Sequence, residues 1–167
     1  YLSVLGMSHV AIDAGYLFGQ APWPLLTIHQ GNQGFGYDRN SFNTMNYMEF
    51  VSDHYVSLSV EHNFNGLFFN RIPLIRKLKW RELIGGKILF GGVRRENNPL
   101  YNTNLLQLPY AADAQTYFLS GKPYIEVDFG IANIFKIAEI NVIKRMTYLD
   151  HPGINKWNIK FSFNLEL

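Results

Sequence analysis

"KWNIKFSFNLEL", residues 156–167, alternates polar and apolar side chains up to its last residue. Trp157, Ile159, Phe161, Phe163, Leu165 and Leu167 fall on one face of an extended chain, and Asn158, Lys160, Ser162, Asn164 and Glu166 on the other. Twelve residues at about 3.3 Å each reach roughly 40 Å; a transmembrane strand needs about 9–11 residues, and strands of globular domains commonly stop at about five or six. In water such a strand is an aggregation hazard unless its face and edge are covered, whereas in a barrel wall its apolar face meets acyl chains. The stretch therefore predicts a membrane-crossing strand with lipid on one side and a watery lumen on the other.

The same alternation recurs upstream. Segment 8–19 sets Val10, Ile12, Ala14, Tyr16 and Phe18 against a mixed face, and segment 47–64 sets Val56, Leu58, Val60 and Phe64 against Tyr55, Ser57, Ser59, Glu61 and Asn63. Segment 82–92 places Ile84, Ile88 and Phe90 opposite Lys87 among glycines. Segment 123–131 opposes Ile125, Val127, Phe129 and Ile131 to Tyr124, Glu126, Asp128 and Gly130, and segment 138–149 carries Ile140, Val142, Met146 and Tyr148 on one side. Trp157, Tyr148, Tyr124 and Tyr47 stand near strand ends, where interfacial aromatic girdles form. Residues 20–46 and 93–122 lack a sustained period and read as long loops. Segment 70–83 alone has helical spacing, Leu74, Ile75, Leu78 and Leu83 recurring among basic residues, and predicts a short amphipathic turn or helix.

Composition agrees with a wall rather than a solvated globule. Apolar residues make up 47% of the 167 and charged ones only 17%, below the roughly one quarter usual in soluble domains. No window approaches the roughly 18 uninterrupted apolar residues of a transmembrane helix, but barrel strands leave mean hydropathy near zero, as it is here. The net charge of +2 and the absence of a basic stripe give no footprint for nucleic acid. Without cysteine there is no disulfide frame, thiolate metal site or Cys nucleophile. The expectation is an all-β chain, an antiparallel up-and-down transmembrane β-barrel of which 1–167 is the C-terminal portion. No internal domain boundary divides it, and about six strands belong to a larger barrel. Six strands are too few to close such a barrel, and the first residue is Tyr1 rather than Met, with "YLSVLGMSHV" lacking the features of a signal peptide, so the partner strands are expected before Tyr1.

Within that frame Asp13, Asp53, Glu61, Lys87, Glu126, Asp128 and Lys160 are candidates to line the lumen as a mixed-charge network or selectivity lining. Arg71, Arg76, Lys77, Lys79 and Arg81 form a basic stretch fit to meet headgroups of the periplasmic leaflet. No catalytic, cofactor or metal residue is assigned. "GNQGFGYDRN", residues 31–40, lacks the Lys-Ser/Thr of a phosphate loop and reads as a flexible or lumen-plugging loop, and His54 and His62 lie too far apart to clasp one metal. Asp53, His54, Ser57 and Ser59 raise a hydrolase reading, which strand parity opposes by turning His54 away from the other three.

The stretches "NFNGLFFNRIPLIRKLKWRE" (63–82), "YIEVDFGIANIFKIAEINVIKRMTYLDHP" (124–152) and the terminal strand resemble the C-terminal barrel of large Bacteroidota outer-membrane proteins. Those proteins carry an N-terminal carboxypeptidase-regulatory-like domain and have no firmly assigned function. More distantly, residues 57–92 resemble the BamA- and TamA-like assembly-factor superfamily. The resemblance implies a non-enzymatic barrel of about sixteen strands in the outer membrane of a Gram-negative bacterium, of assembly or translocation type with an unassigned substrate. It places loops 20–46, 93–122 and 150–155 outside the cell and 65–81 and 132–137 in the periplasm. Its implied partners are outer-membrane lipid, the barrel-assembly machinery, which reads the terminal strand, and other outer-membrane or periplasmic proteins. Two departures stand out. Arg39 is present without the Val-Arg-Gly-aromatic motif of the assembly factors, and the chain ends in Leu167 rather than Phe or Trp. A passive or gated channel is the alternative within the membrane class; a soluble β-domain binding a hydrophobic ligand or protein partner is the alternative outside it.

Overall fold

The computed structural model describes residues 6–109, 115–119 and 121–163. The elements in chain order are β1 (Met7–Tyr16), β2 (Thr27–Ile28), β3 (Phe50–Ser52), β4 (His54–Asn63), α1 (Pro73–Arg76), β5 (Arg81–Gly92), β6 (Tyr117–Phe118), β7 (Tyr124–Ile134), β8 (Ala138–Arg145) and β9 (Trp157–Phe163). Short 3-10 turns occupy Trp23–Leu25, Phe69–Arg71 and Arg95–Asn97. The chain is all-β, with two sheets and mostly antiparallel pairing. β1, β4, β5, β7, β8 and β9 form a six-stranded antiparallel meander in which each long strand pairs with the next. β1 and β9 are its edges. A small sheet, β2-β3-β6, sits among the long loops and includes one parallel pair.

Alternation sets which residues face which way, and the outcome inverts a soluble sheet. Val10, Ile12 (72% exposed), Val56, Ile84, Phe90, Val127, Phe129, Ile159 and Phe163 (71%) lie on an open face that no other element of the described chain covers. On the other face Glu61, Lys87, Glu126, Asp128, Glu139, Asn141, Arg145 and Lys160 are buried beneath loops. Register places opposite charges directly across from one another, Lys87 opposite Glu126 and Glu126 opposite Arg145, across three adjacent strands. The compact apolar core lies at one end of the sheet: Phe42, Met45, Phe50, Leu89, Leu119, Tyr124 and Tyr148 form one cluster, and Ala21, Leu26 and Val51 a second.

Several sequence expectations are corrected. Segment 47–64 is not one strand. It breaks at Asp53, whose side chain turns to Arg94 and Asn97, and the part before the break joins the small sheet. Tyr124 and Tyr148 are core residues rather than a girdle, because β8 stops at Arg145 and Tyr148, at a φ of 52°, turns inward; Tyr47 and Trp157 are exposed. At 70–83, by contrast, the expected short turn is present as Pro73–Arg76, and β5 begins at Arg81, since a stretch this short cannot propagate a helix. Within the described residues of loops 20–46 and 93–122, Ser41, Asn43, Thr44, Met45 and Asn97 are buried. Leu165 and Leu167 of the terminal strand lie outside the described residues. Among the described residues no helix is long and apolar enough to cross a membrane.

Candidate functional site

The chemistry of the described chain concentrates where loop 29–49 lies on the charged face of the meander. β-strand parity delivers one polar side chain every second residue to that face, and the loop supplies the complementary backbone groups. Glu126, 1% exposed, accepts the N–H groups of Asn43 (2.8 Å) and Thr44 (3.0 Å), the Thr44 hydroxyl (2.8 Å) and the Tyr124 hydroxyl (3.2 Å). Lys87 Nζ donates to the carbonyls of Ser41 (2.5 Å) and Asp38 (3.1 Å) and stands 4.0 Å from Glu126. Lys160 Nζ donates to the carbonyls of Asn32 (2.7 Å) and Gly34. These strand charges are satisfied mainly by loop backbone, so a buried charge does not stay unpaired.

A second anchor joins β8 to the end of the loop. Arg145 grips Glu49 bidentately, Nη1 to Oε2 at 2.9 Å and Nη2 to Oε1 at 2.6 Å, and also donates to the carbonyls of Thr147 and Thr44. His151 Nδ1 lies 2.8 Å from the same carboxylate, and its ring stacks on Tyr117 with centroids 3.8 Å apart. A third anchor is partly exposed: Arg39 pairs with Glu61 at 2.7 Å, and the Tyr37 hydroxyl donates to the other Glu61 oxygen at 3.0 Å.

Asp53 closes the loop end of β4. It accepts from Arg94 N and Nε (3.0 Å each), Asn97 Nδ2 (2.7 Å) and His54 Nδ1 (2.6 Å), and Arg94 reaches on to the carbonyls of Leu17 and Gly19. Burial by itself raises the Asp53 carboxyl, but these hydrogen bonds outweigh it and hold the group below its ordinary range. The contact also corrects the parity argument about His54. The strand break lets it meet Asp53, and what results is a bracket tying three loops, since Ser52, fully buried, is paired with His29 Nε2 at 3.0 Å. Burial lowers the His29 imidazole to about 4, with Asp13 pulling weakly the other way.

Of the candidate lumen residues, Glu61, Lys87, Glu126, Asp128 and Lys160 come together under the loop. Asp13 does not; it is exposed on edge strand β1 and accepts from the Tyr55 hydroxyl at 2.8 Å. Asp128 keeps one buried oxygen without a partner, packed so closely on Gly85 that a Cβ there would come within 2.5 Å of its other oxygen. Trp157, Ile159, Phe161 and Phe163 stand on the open face, and Arg71, Arg76, Lys77, Lys79 and Arg81 are exposed in and just after the β4–β5 connection. Sequence reasoning missed His151, Asn43 and Arg94, which lie in segments without a period, Glu49, which lies before the break in segment 47–64, and Arg145. For Arg145 a signal existed, since it has the parity opposite to Val142 and Met146. Among the described residues no group of three or more His, Asp or Glu is placed to hold a metal.

The profile of a family described as "Family of unknown function (DUF5686) C-terminal domain" matches residues 3–101, more than half of the chain. The chain belongs to this family. The matched part of the DUF5686 C-terminal domain runs from β1 through β5 and includes the whole of loop 29–49 with Glu61 and Lys87, while Glu126, Arg145 and Lys160 lie beyond it. No curated protein and no solved structure matches the chain.

Proposed function

We propose that this chain is the C-terminal, six-strand part of an outer-membrane β-barrel whose open face contacts lipid and whose charged face, with loop 29–49 packed on it, lines the interior. One observation carries the reading: the meander buries most of its charges on one face and exposes aliphatic and aromatic residues on the other, from Ile12 on β1 to Phe163 on β9. A soluble sheet with that distribution would leave a large apolar surface in water, whereas a barrel wall requires it. β1 and β9 are the edges to which neighbouring strands would pair in closing a larger ring.

For the activity we propose a non-enzymatic role in assembly or translocation of other polypeptides at the outer membrane. The resemblance of residues 57–92 to assembly-factor barrels supports it. So does the edge of β9, where Phe161 already exchanges backbone hydrogen bonds with a passing segment, accepting from Tyr37 (2.8 Å) and donating to Phe35 (3.0 Å). The anchored loop disfavours a freely open channel. Extraction of the full-length protein only with detergent, with heat-modifiable migration on a gel, is the expected result for the barrel; a monodisperse folded protein in plain buffer would overturn it. Depletion of the protein should lower several other barrels together. A large steady single-channel conductance with unchanged barrel levels would replace assembly by the channel reading.

A further inference from the structure

At the end of the meander opposite the Asp53–Arg94 contact, the connection 64–80 and the turn 135–137 meet. Asn133 Nδ2 donates to the carbonyl of Lys79 at 2.7 Å, which ties the two together. Beside this tie opens a cleft of about 580 Å³ lined by Asn65, Asn70, Arg76, Lys79, Trp80, Arg81 and Asn133, with no carboxylate in its wall. Three cations, three asparagines and an indole thus converge on one space.

Charge is strongly segregated about this cleft. Segments 64–81 and 132–137 contain Arg71, Arg76, Lys77, Lys79, Arg81 and Lys136 and no Asp or Glu. The segments at the other end, 17–53, 93–123 and 146–156, hold six acids against five Lys and Arg. The next acids along the chain, Glu82 and Glu139, are both buried; Glu82 Oε1 accepts the backbone N–H groups of Phe68 and Phe69, and Glu139 accepts from Asn141. Among the described residues none of Arg76, Lys79 and Arg81 is in an ion pair, whereas Arg39, Lys87, Arg94 and Arg145 are. Leu74 (79% exposed), Leu78 and Phe135 (88%) project from the same turns. An inorganic anion would satisfy the cations and leave this apolar collar in water; an anion joined to acyl chains uses both.

We propose that this cleft binds the phosphodiester of an anionic glycerophospholipid, with Leu74, Leu78 and Phe135 in the adjoining acyl layer. The proposal rests on the membrane reading of the sheet and adds to it an orientation, since this end then faces a phospholipid leaflet. Polybasic segments gain affinity for anionic lipid with each cation near the surface, and three convergent ones make a selective site.

The test is native mass spectrometry of the full-length protein released from detergent after incubation with phosphatidylglycerol or phosphatidylcholine, with millimolar inorganic phosphate as competitor. Retained phosphatidylglycerol should exceed phosphatidylcholine, survive phosphate, and fall at least about tenfold in an R76Q/K79Q/R81Q variant. An R95Q variant, at the other end, should retain it. Heat-modifiable migration identifies folded variant; if the triple variant loses it, the exposed single change R76Q carries the comparison, with a smaller fall expected. Equal retention by wild type and variant, equal retention of the two lipids, or full displacement by phosphate would overturn the proposal. A wild-type protein that is embedded in membrane yet unselective refutes this site alone, whereas one soluble without detergent refutes the barrel reading beneath it.

Discussion

Removing Arg145 should release loop 29–49 from the sheet. Its guanidinium is fully buried, the Glu49 carboxylate facing it is 2% exposed, and two charged hydrogen bonds of 2.9 and 2.6 Å join them. Arg145→Met keeps much of the apolar stem but leaves Glu49 in a dry site with only His151 and the Asn46 N–H as partners. Breaking one side of such a pair costs about 3–5 kcal/mol, because the surviving charge is uncompensated. Glu49→Gln should cost a similar amount, by stranding Arg145. The double change Arg145→Met with Glu49→Leu removes both charges and should recover to within about 1–2 kcal/mol of wild type, since a well-packed apolar pair replaces a desolvated ionic one at little loss. Limited proteolysis of the full-length protein measures this. A loss of about 3 kcal/mol raises the open fraction more than hundredfold, so cleavage within 29–49 should accelerate steeply in each single variant and far less in the double. Unchanged cleavage in Arg145→Met, or a double variant as labile as the two single effects added together, would refute the account of the anchor.

Three further outcomes follow from particular contacts. Gly85→Ala should destabilise by about 1–3 kcal/mol, read from thermal unfolding, because its Cβ would sit within 2.5 Å of Asp128 Oδ1, and shortening Asp128 to Ser in the same chain should return most of the loss. Ile12→Lys, at a site 72% exposed in the middle of β1, should cost about 2–4 kcal/mol if that face meets the bilayer midplane and within about 0.5 kcal/mol if it meets water, so refolding into vesicles distinguishes the two. Burial lowers His29 from 6.5 to about 4, so the unfolded chain binds a proton between those values while the folded one does not. Its contribution, on the order of 3 kcal/mol, is present above about pH 6.5 and declines as pH falls toward about 4; a His29→Gln variant should lose that slope in a pH series of melting midpoints.

How much of this was legible follows from where period 2 operates. In β7 and β9 each residue's face was readable, because Val127, Phe129, Ile159 and Phe163 alternate with Glu126, Asp128, Asn158 and Lys160 without interruption. The break at Asp53 was not. Residues 50–64 keep their alternation through it, and only the distant Arg94 and Asn97 decide that the chain kinks there. Loop 29–46 was readable as non-periodic and unreadable as ordered, since its fixing partners are strand side chains as far as 128 residues away bonded chiefly to its backbone, which leaves no pattern in the loop's own residues. The cationic cleft was half visible. The basic run announced itself, but Asn133, which joins the two turns, sits in a segment with nothing to mark it.

The loop and the charged face also constrain each other's function. Glu126 has four donors and Lys87 two carbonyl acceptors, five of these six groups belonging to loop residues 38–44. Withdrawing the loop without replacing it would uncover a carboxylate and an ammonium that currently lie almost in contact with one another's partners. Two routes remain by which the interior can change state. Water can enter and solvate the charges, which the lumen of a barrel permits, or an incoming polypeptide can offer the same backbone N–H and carbonyl groups that residues 38–44 now offer. The second route exchanges like for like at Glu126 and Lys87 and keeps both of these charges paired. A site satisfied there chiefly by backbone groups would accept many sequences in extended form, which is the property the proposed strand-handling role requires and a selective pore does not.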